Sequence, residues 1–220
     1  MKIEEAIKKL PYSDKLTDSE REGLEQNTVI KSYNKGAFLK GPTESCLGMI
    51  HILSGSVRAL IISEEGREIT LFRLSPGDSC ILSASCVLTQ VSFETELIAT
   101  EATQILIVNS GTYSKLMEQN VDVRCFSYAL ATERSSIVIW ALQQIIFFKF
   151  DQRLARFLLS ACENSSKNEI TMTKESIAQE VNTAREVVSR MLKQFADDGL
   201  IKMNKKTITI MDKTGLQKIV

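Results

Sequence analysis

The pattern of hydrophobic and polar residues changes twice along the chain and predicts three kinds of structure. In residues 1–24 apolar residues recur at helical spacing, and Thr17 and Glu20 have the spacing of a helix capping box. From about residue 29 to residue 108, short apolar runs alternate with turn signals, which is typical of a β-barrel or jelly roll. Within this region, residues 56–62 and 67–73 are predicted to pair as a hairpin.

A long helix is predicted from about Asp122 to Phe148, because glycine and proline are absent between Gly111 and Phe148. Its second half is apolar on almost every side, and such a helix must be covered on every side. One face can lie on the barrel, and we expect the other to pair with a second chain in a homodimer. A central helix buried within one chain is the alternative. The residues expected at the helix pair are Phe126, Leu130, Ile137, Trp140, Ala141, Gln144 and Phe148.

The C-terminal residues have the pattern of a winged helix-turn-helix. A helix with Thr173 as its N-cap is followed by a break at Asn182–Thr183, where Asn tolerates a positive φ. A second amphipathic helix, Ala184 to Asp198, ends at Gly199, and a β-hairpin follows over residues 200–210. In this arrangement the second helix enters the major groove of DNA.

The distribution of charge supports this division of the chain. The sequence has 27 basic and 27 acidic residues, but from residue 149 onward we count 13 basic and 9 acidic residues. The last part is therefore +4 and the rest −4, a basic module joined to an acidic one. We expect an α+β protein with an N-terminal β-barrel over residues 1–120, a dimerisation helix over 121–148 and a DNA-binding winged helix over 149–220.

The second helix of this module carries a polar stripe opposite its apolar side. Arginine can bind guanine O6 and N7 through two hydrogen bonds, and glutamate can accept one from cytosine N4. Other polar residues nearby would contact phosphates, which set the register without reading sequence. The expected base-reading residues are Arg185, Glu186, Ser189 and Arg190. The expected backbone contacts are Thr173, Lys174, Thr183, Lys205 and Lys206.

Residue usage argues against an enzyme. The single histidine, His51, lies in a strand pattern that favours a structural role, and triads, zinc protease motifs and nucleotide-binding glycine loops are absent from the sequence. The five cysteines are scattered without a CxxC, so no metal site is expected. The start of the chain does not have the pattern of a secretory signal, and no apolar run is long enough to cross a bilayer, which indicates a cytoplasmic protein.

Residues 183–192 resemble the recognition helix of the CRP/FNR transcription regulators. Residues 33–36, 52–57 and 66–71 are similar to barrel signatures of that family, and the resemblance extends over roughly residues 15 to 212. It implies a homodimer with a cyclic-nucleotide-binding-type barrel (a double-stranded β-helix), a dimerisation helix and a winged helix. It also implies a palindromic DNA site with TGTGA-like arms and RNA polymerase as a partner.

The resemblance leaves the signal open. Residues 77–94 match the family's phosphate-binding cassette, but no Lys or Arg lies between Arg73 and Lys115, which argues against cyclic AMP. The first cysteine is Cys46, so the family's N-terminal iron-sulfur cluster is not expected. The alternatives are a redox- or haem-linked sensor that uses Cys80 and Cys86, and a cupin-like small-molecule-binding barrel without DNA function. The residues expected to line an effector pocket are Cys80, Ser83, Ser85, Cys86, Thr89 and Gln90.

Overall fold

The computed structural model describes residues 2–39, 47–63, 66, 68–81, 95–163, 169–204 and 207–220. The helices are α1 (Ile3–Ile7), α2 (Asp18–Gln26), α3 (Ser110–Gln119), α4 (Val121–Phe147), α5 (Phe150–Glu163), α6 (Lys174–Glu180), α7 (Arg185–Asp197) and α8 (Lys213–Ile219), with a 3-10 turn at Ser13–Lys15. The strands are β1 (Thr28–Tyr33), β2 (Met49–Ser54), β3 (Val57–Ile62), β4 (Glu68–Leu74), β5 (Ser79–Cys80), β6 (Glu96–Ala99), β7 (Thr103–Val108), β8 (Glu169–Ile170), β9 (Ile201–Met203) and β10 (Ile208–Ile210). This is the α+β architecture that the sequence predicts.

The chain divides into two compact units. The first comprises residues 1–67 and 71–138, and the second comprises residues 68–70 and 139–220. None of the helices within the described ranges has the length and apolar run that crossing a lipid bilayer requires.

The first unit begins with the helices that the apolar spacing predicts. The hydroxyl of Thr17 accepts a hydrogen bond from the Glu20 backbone N–H, and the Glu20 carboxylate accepts one from the Thr17 N–H at 2.8 Å. This reciprocal pair satisfies two backbone donors that the first turn of α2 would otherwise leave open. The capping box is therefore confirmed.

Two antiparallel sheets form the barrel. The four-stranded sheet has the order β1-β7-β2-β5, and the three-stranded sheet has the order β4-β3-β6, so β3 and β4 are neighbours as predicted. Alternate residues such as Ile50, Ile52 and Ile105 point from the first sheet into the core between the sheets, where they meet Val57 and Leu97 from the second. The hydrophobic core of the jelly roll is built from this alternation.

The four-stranded sheet is buried on its other face as well. Met49, Leu106 and Val108 pack there against the N-terminal helices, α3 and the first half of α4. The sequence did not predict α3 as a separate helix. Asn120 separates it from α4, because its side-chain oxygen accepts hydrogen bonds from the N–H groups of Asp122 and Val123 and so begins the new helix.

His51 lies on β2 with the structural role that the sequence favours. It is 1% exposed, its Nδ1 lies 2.9 Å from the Ser79 hydroxyl, and its neighbours Ile50 and Ile52 face the opposite side of the sheet. Burial lowers the pKa of His51, Lys9 lowers it further and Asp78 partly opposes the change. The folded barrel therefore favours the neutral imidazole.

This pKa shift predicts a loss of stability in mild acid. The unfolded chain takes up a proton on His51 near pH 6.5, whereas the folded chain does so only at lower pH. The contribution of neutral His51 to the free energy of unfolding is therefore complete above pH 6.5 and is lost as the pH falls below it. We expect the free energy of unfolding to fall by up to about 1.4 kcal/mol per pH unit between pH 6.5 and 5.5. Urea unfolding of wild type and His51→Gln at both pH values measures the difference, and an equal slope in both proteins would contradict the assignment.

The long helix α4 agrees closely with its predicted bounds, but its exposed surface differs from the predicted contact series. Leu130 and Ala141 are buried within their own chain, and the ring of Phe126 packs 5.3 Å from that of Tyr12. Ile137 packs against the barrel core. The prediction is therefore wrong for Leu130 and Ala141, because their own chain already covers them. Of the other predicted contacts, Gln144 and Phe148 are half-buried and Trp140 is largely exposed.

The second unit has the helix-turn-helix and hairpin that the sequence predicts. Asn182, in the turn between α6 and α7, has φ 51°, and Gly199, after α7, has φ 74°. Both positions need the left-handed conformation that Asn and Gly tolerate. Strand β8 joins β9 and β10 in a three-stranded sheet of order β8-β10-β9, and α8 packs through Leu216 into the same core, two elements that the sequence analysis did not include.

Candidate nucleic-acid interface

Helix α7 combines a buried stripe with an exposed polar one. Val188, Leu192 and Phe195 are buried in the core of the second unit. Arg185, Glu186 and Arg190 are exposed, whereas Ser189 is half-buried. The amphipathic pattern read from the sequence therefore orients α7 with its charged side chains toward solvent, where base edges could be reached.

Helix α6 begins beside this stripe. The Thr173 hydroxyl accepts a hydrogen bond from the Ser176 N–H at 3.0 Å, which confirms Thr173 as the N-cap. The Lys174 ammonium donates a 2.9 Å hydrogen bond to the Ser189 hydroxyl. The contact links the first turn of α6 to the middle of α7. It places Lys174, predicted to contact phosphate, beside Ser189, predicted to read bases.

A groove of about 670 Å³ connects the start of α6, α7 and the hairpin. Thr173, Lys174 and Arg185 line it together with Asn204 and Thr207 of the hairpin. Three of the predicted DNA-contacting residues therefore line one groove together with polar residues of the hairpin. Thr183 is half-buried and its N–H donates to the Ala178 carbonyl at 2.9 Å, so it belongs to the turn. Lys205 and Lys206 lie outside the described residues.

The N-terminus of α7 lacks a side-chain cap. Its N-cap is Ala184, whose methyl side chain cannot accept a hydrogen bond from the first backbone N–H groups. Such N–H groups, with the positive end of the helix dipole, form a favourable environment for a phosphate oxygen.

The predicted effector pocket is described at one residue only. Cys80 is fully buried in the core of the barrel, the environment of a structural thiol. Ser83, Ser85, Cys86, Thr89 and Gln90 lie outside the described residues. Across the described ranges, no group of three or more His, Cys, Asp or Glu side chains is placed to hold a metal ion.

The structure brings a cation to the barrel that the sequence analysis missed. Arg134 of α4 is 5% exposed, and its guanidinium lies 3.8 Å from Asp78 and 5.2 Å from the centre of the Phe72 ring. One of its terminal nitrogens donates a long, 3.5 Å hydrogen bond to the Ser79 carbonyl, and its buried Nε makes no hydrogen bond with the described residues. The sequence analysis considered only the cations within the barrel segment, between Arg73 and Lys115. It therefore did not include Arg134, which reaches the barrel from α4, later in the chain.

Comparison with known proteins identifies the family of the chain. Residues 152–219 match the model of the Crp-like helix-turn-helix domain. A crystal structure of a CRP/FNR-family transcriptional regulator from Eubacterium rectale is 33% identical in sequence, with a TM-score of 0.84 over 96% of this chain and 98% of that one. The chain belongs to the CRP/FNR family. Its function is therefore that of a transcription regulator, and these relatives are regulators rather than enzymes.

Other CRP/FNR proteins match over most of their length. The cAMP-activated global transcriptional regulator CRP of Escherichia coli is 25% identical over 88% of this chain and 95% of that protein. The anaerobic regulatory protein of Haemophilus influenzae is 28% identical over 84% of this chain and 74% of its own length. Because the matches span both units, the barrel and the helix-turn-helix belong to one CRP/FNR regulator.

Proposed function

We propose that the protein is a homodimer that reads a palindromic DNA site through α7 of each chain. The observation that carries this proposal is the stripe formed by Arg185, Glu186 and Arg190, exposed on a helix whose opposite side is buried. Arg185 and Glu186 lie in the first turn of the helix, where recognition helices contact base edges. Arginine would read guanine and glutamate would read cytosine, as expected for a TGTGA-like arm.

The phosphate contacts of this proposal lie around the stripe. Thr173 and Lys174 at the start of α6 and the uncapped N-terminus of α7 would bind backbone oxygens on either side of the bases that are read. Lys205 and Lys206, which follow β9 in the sequence, would do the same. These contacts supply affinity that decreases as salt increases, whereas the base contacts of α7 supply specificity.

The exposed side of α4 is the surface we propose for pairing. Its exposed residues include a series separated alternately by three and four residues, the spacing of a two-stranded coiled coil. Tyr128, Ile139, Leu142 and Ile146 give this series an apolar character, and each is at least 46% exposed. The complete series, which replaces the one expected from the sequence and which we call the α4 seam, is Cys125, Tyr128, Thr132, Ser135, Ile139, Leu142 and Ile146.

A parallel pair through the α4 seam accounts for a palindromic site. A two-fold axis between the helices relates the two copies of α7, so each copy would read the same sequence on opposite strands. Successive half-sites would then lie roughly 34 Å apart, one turn of the double helix. We propose RNA polymerase as a further partner and the cytoplasm as the location, which the family resemblance implies.

We place the signal-binding site in the barrel beside Arg134. Its buried guanidinium would supply the cation that residues 74–114 lack, so an anionic effector could bind there in competition with Asp78. A redox role for Cys80 is less well supported by its burial. We propose that the effector is an anion and that it need not be cyclic AMP.

Titration of a fluorescent duplex tests the proposal. We expect a palindrome with two TGTGA-like arms to bind two chains, and a duplex of equal length with one scrambled arm to bind at least tenfold more weakly. Raising the salt concentration should weaken both complexes. Equal affinity for both duplexes at every salt concentration, with or without extracts of small molecules added as effector, would contradict sequence-specific recognition.

A further inference from the structure

A cavity of about 310 Å³ lies within the second unit. The last turns of α4, the middle of α5 and the turn that follows α6 surround it. Its volume is at the lower end of the range of roughly 300–1,000 Å³ found for ligand pockets. The space therefore suits a small molecule, and it is separate from the groove that contains Arg185.

The lining of this cavity combines apolar surface with positive charge. Trp140, Phe157 and Val181 provide the apolar part. Arg153 and Arg156 project from successive turns of α5, and Glu180 is the one acidic residue among the described residues of the lining. Counted over these described residues, the formal charge of the lining is positive beside the apolar walls, a combination that favours a ligand with an apolar body and a single negative group.

Arg156 is positioned to bind such a group. Its Cζ lies 4.2 Å from the centre of the Phe148 ring, and one terminal nitrogen donates a 2.9 Å hydrogen bond to the side-chain oxygen of Gln144. These two contacts hold the guanidinium plane in a fixed orientation. A guanidinium has five N–H donors, so donors beyond the Gln144 bond can form a paired hydrogen bond with a carboxylate.

The cavity is open to solvent and faces away from the α4 seam. Trp140 is 56% exposed. At 100° per residue, Trp140, Ala141 and Gln144 lie on roughly the opposite side of the helix from Ile139, Leu142 and Ile146. A second chain bound along the seam would therefore leave the entrance uncovered.

We propose that this cavity binds a small carboxylate with an apolar body, whose carboxylate bonds to Arg156 and whose apolar part contacts Trp140 and Phe157. The site adjoins both the α4–α5 junction, through Gln144 and Phe148, and the turn before the recognition helix, through Val181. A ligand that bonds to Arg156 beside Gln144 would add contacts where the long helix meets the DNA-binding helices. Binding itself does not depend on DNA recognition.

Octanoate and octanamide provide a matched pair of probes, because they share the same apolar body and only octanoate carries a charge. Trp140 is the single tryptophan of the sequence and lies in the cavity wall, so intrinsic fluorescence of the full chain reports on this site. We expect a saturable change in fluorescence with octanoate and roughly tenfold weaker binding of octanamide. Arg156→Gln should weaken octanoate binding by roughly tenfold or more.

Lys218→Gln is the control variant. It removes an exposed cation of the same unit that is not part of the cavity lining, so it should leave the octanoate titration unchanged. Equal binding of octanoate and octanamide to the wild type would overturn the proposal even if Arg156→Gln failed to fold. An absence of saturable change with octanoate would overturn it as well. Neither outcome would bear on the reading of DNA by α7, which is measured in the absence of these probes.

Discussion

Replacing Arg185 with alanine is expected to weaken binding to the palindromic duplex by about 1–3 kcal/mol, a loss of roughly 5- to 150-fold. The reason is that Arg185 lies at the exposed first turn of α7, where its two-pronged hydrogen bond to guanine would be lost with the side chain. Binding to unrelated DNA should change much less, because that binding depends on phosphate contacts. Fluorescence anisotropy with specific and scrambled duplexes measures both effects.

Lys218→Ala is the matched control for this experiment. Lys218 is also an exposed cation of the second unit, but it lies on α8 outside the groove that Arg185 lines. It should leave the ratio of specific to non-specific affinity unchanged. An equal loss of affinity for both duplexes in Arg185→Ala would assign Arg185 to the phosphate contacts and contradict its base-reading role.

Replacing Leu142 with glutamate should separate the two chains. In a parallel pair the α4 seam would bury two carboxylates facing each other, which should weaken association by roughly hundredfold or more. We expect the mass of a single chain by light scattering at concentrations where the wild type is a dimer. Affinity for the palindrome should fall with it, because the two copies of α7 would no longer be held together.

Leu142→Met is the control, because it keeps an apolar side chain of similar volume and should remain a dimer. Cys125, an exposed residue of the α4 seam, independently tests how the two α4 helices are aligned, because a parallel pair brings Cys125 next to its copy. Copper-catalysed oxidation by air should link Cys125 to its copy in the wild type and in Leu142→Met, and much less in Leu142→Glu. A Leu142→Glu variant that stays dimeric and cross-links as well as the wild type would contradict pairing through this surface.

The features that the sequence predicted correctly depend on local signals. The capping box of Thr17 and Glu20, the positive φ of Asn182 and the end of α7 at Gly199 each follow from a few neighbouring residues. The amphipathic stripe of α7 is equally local, because the buried and exposed positions alternate within one helix. The helix-turn-helix and the side of α7 that faces solvent could therefore be predicted from the sequence alone.

The exposed face of α4 could not be predicted in this way. Leu130 and Leu142 are the same residue type on one helix, yet the first is buried and the second is 46% exposed. The difference arises because the N-terminal helices cover the first half of α4, a contact between segments more than 100 residues apart. On a helix that is apolar all round, hydrophobicity does not distinguish the side that its own chain covers.

Long-range placement also explains the two charged sites that the sequence analysis missed. Arg134 is an ordinary basic residue of a helix until the fold buries it beside Asp78 and Phe72. Arg156 likewise gains its role from the cavity that α4, α5 and the turn after α6 enclose. In both cases the relevant neighbours come from other elements, so neither spacing nor composition indicates them.

Selection from a pool of random duplexes, with sequencing of the DNA retained by the purified protein at two salt concentrations, measures directly whether α7 reads a palindrome. We expect a palindrome with TGTGA-like arms, centred about one helical turn apart, to be enriched at both concentrations. We also expect Arg185→Ala to lose the preference at the guanine positions and to retain weak binding. Retention of DNA without any sequence preference, and its complete loss at the higher salt concentration, would contradict the reading of a palindrome by α7.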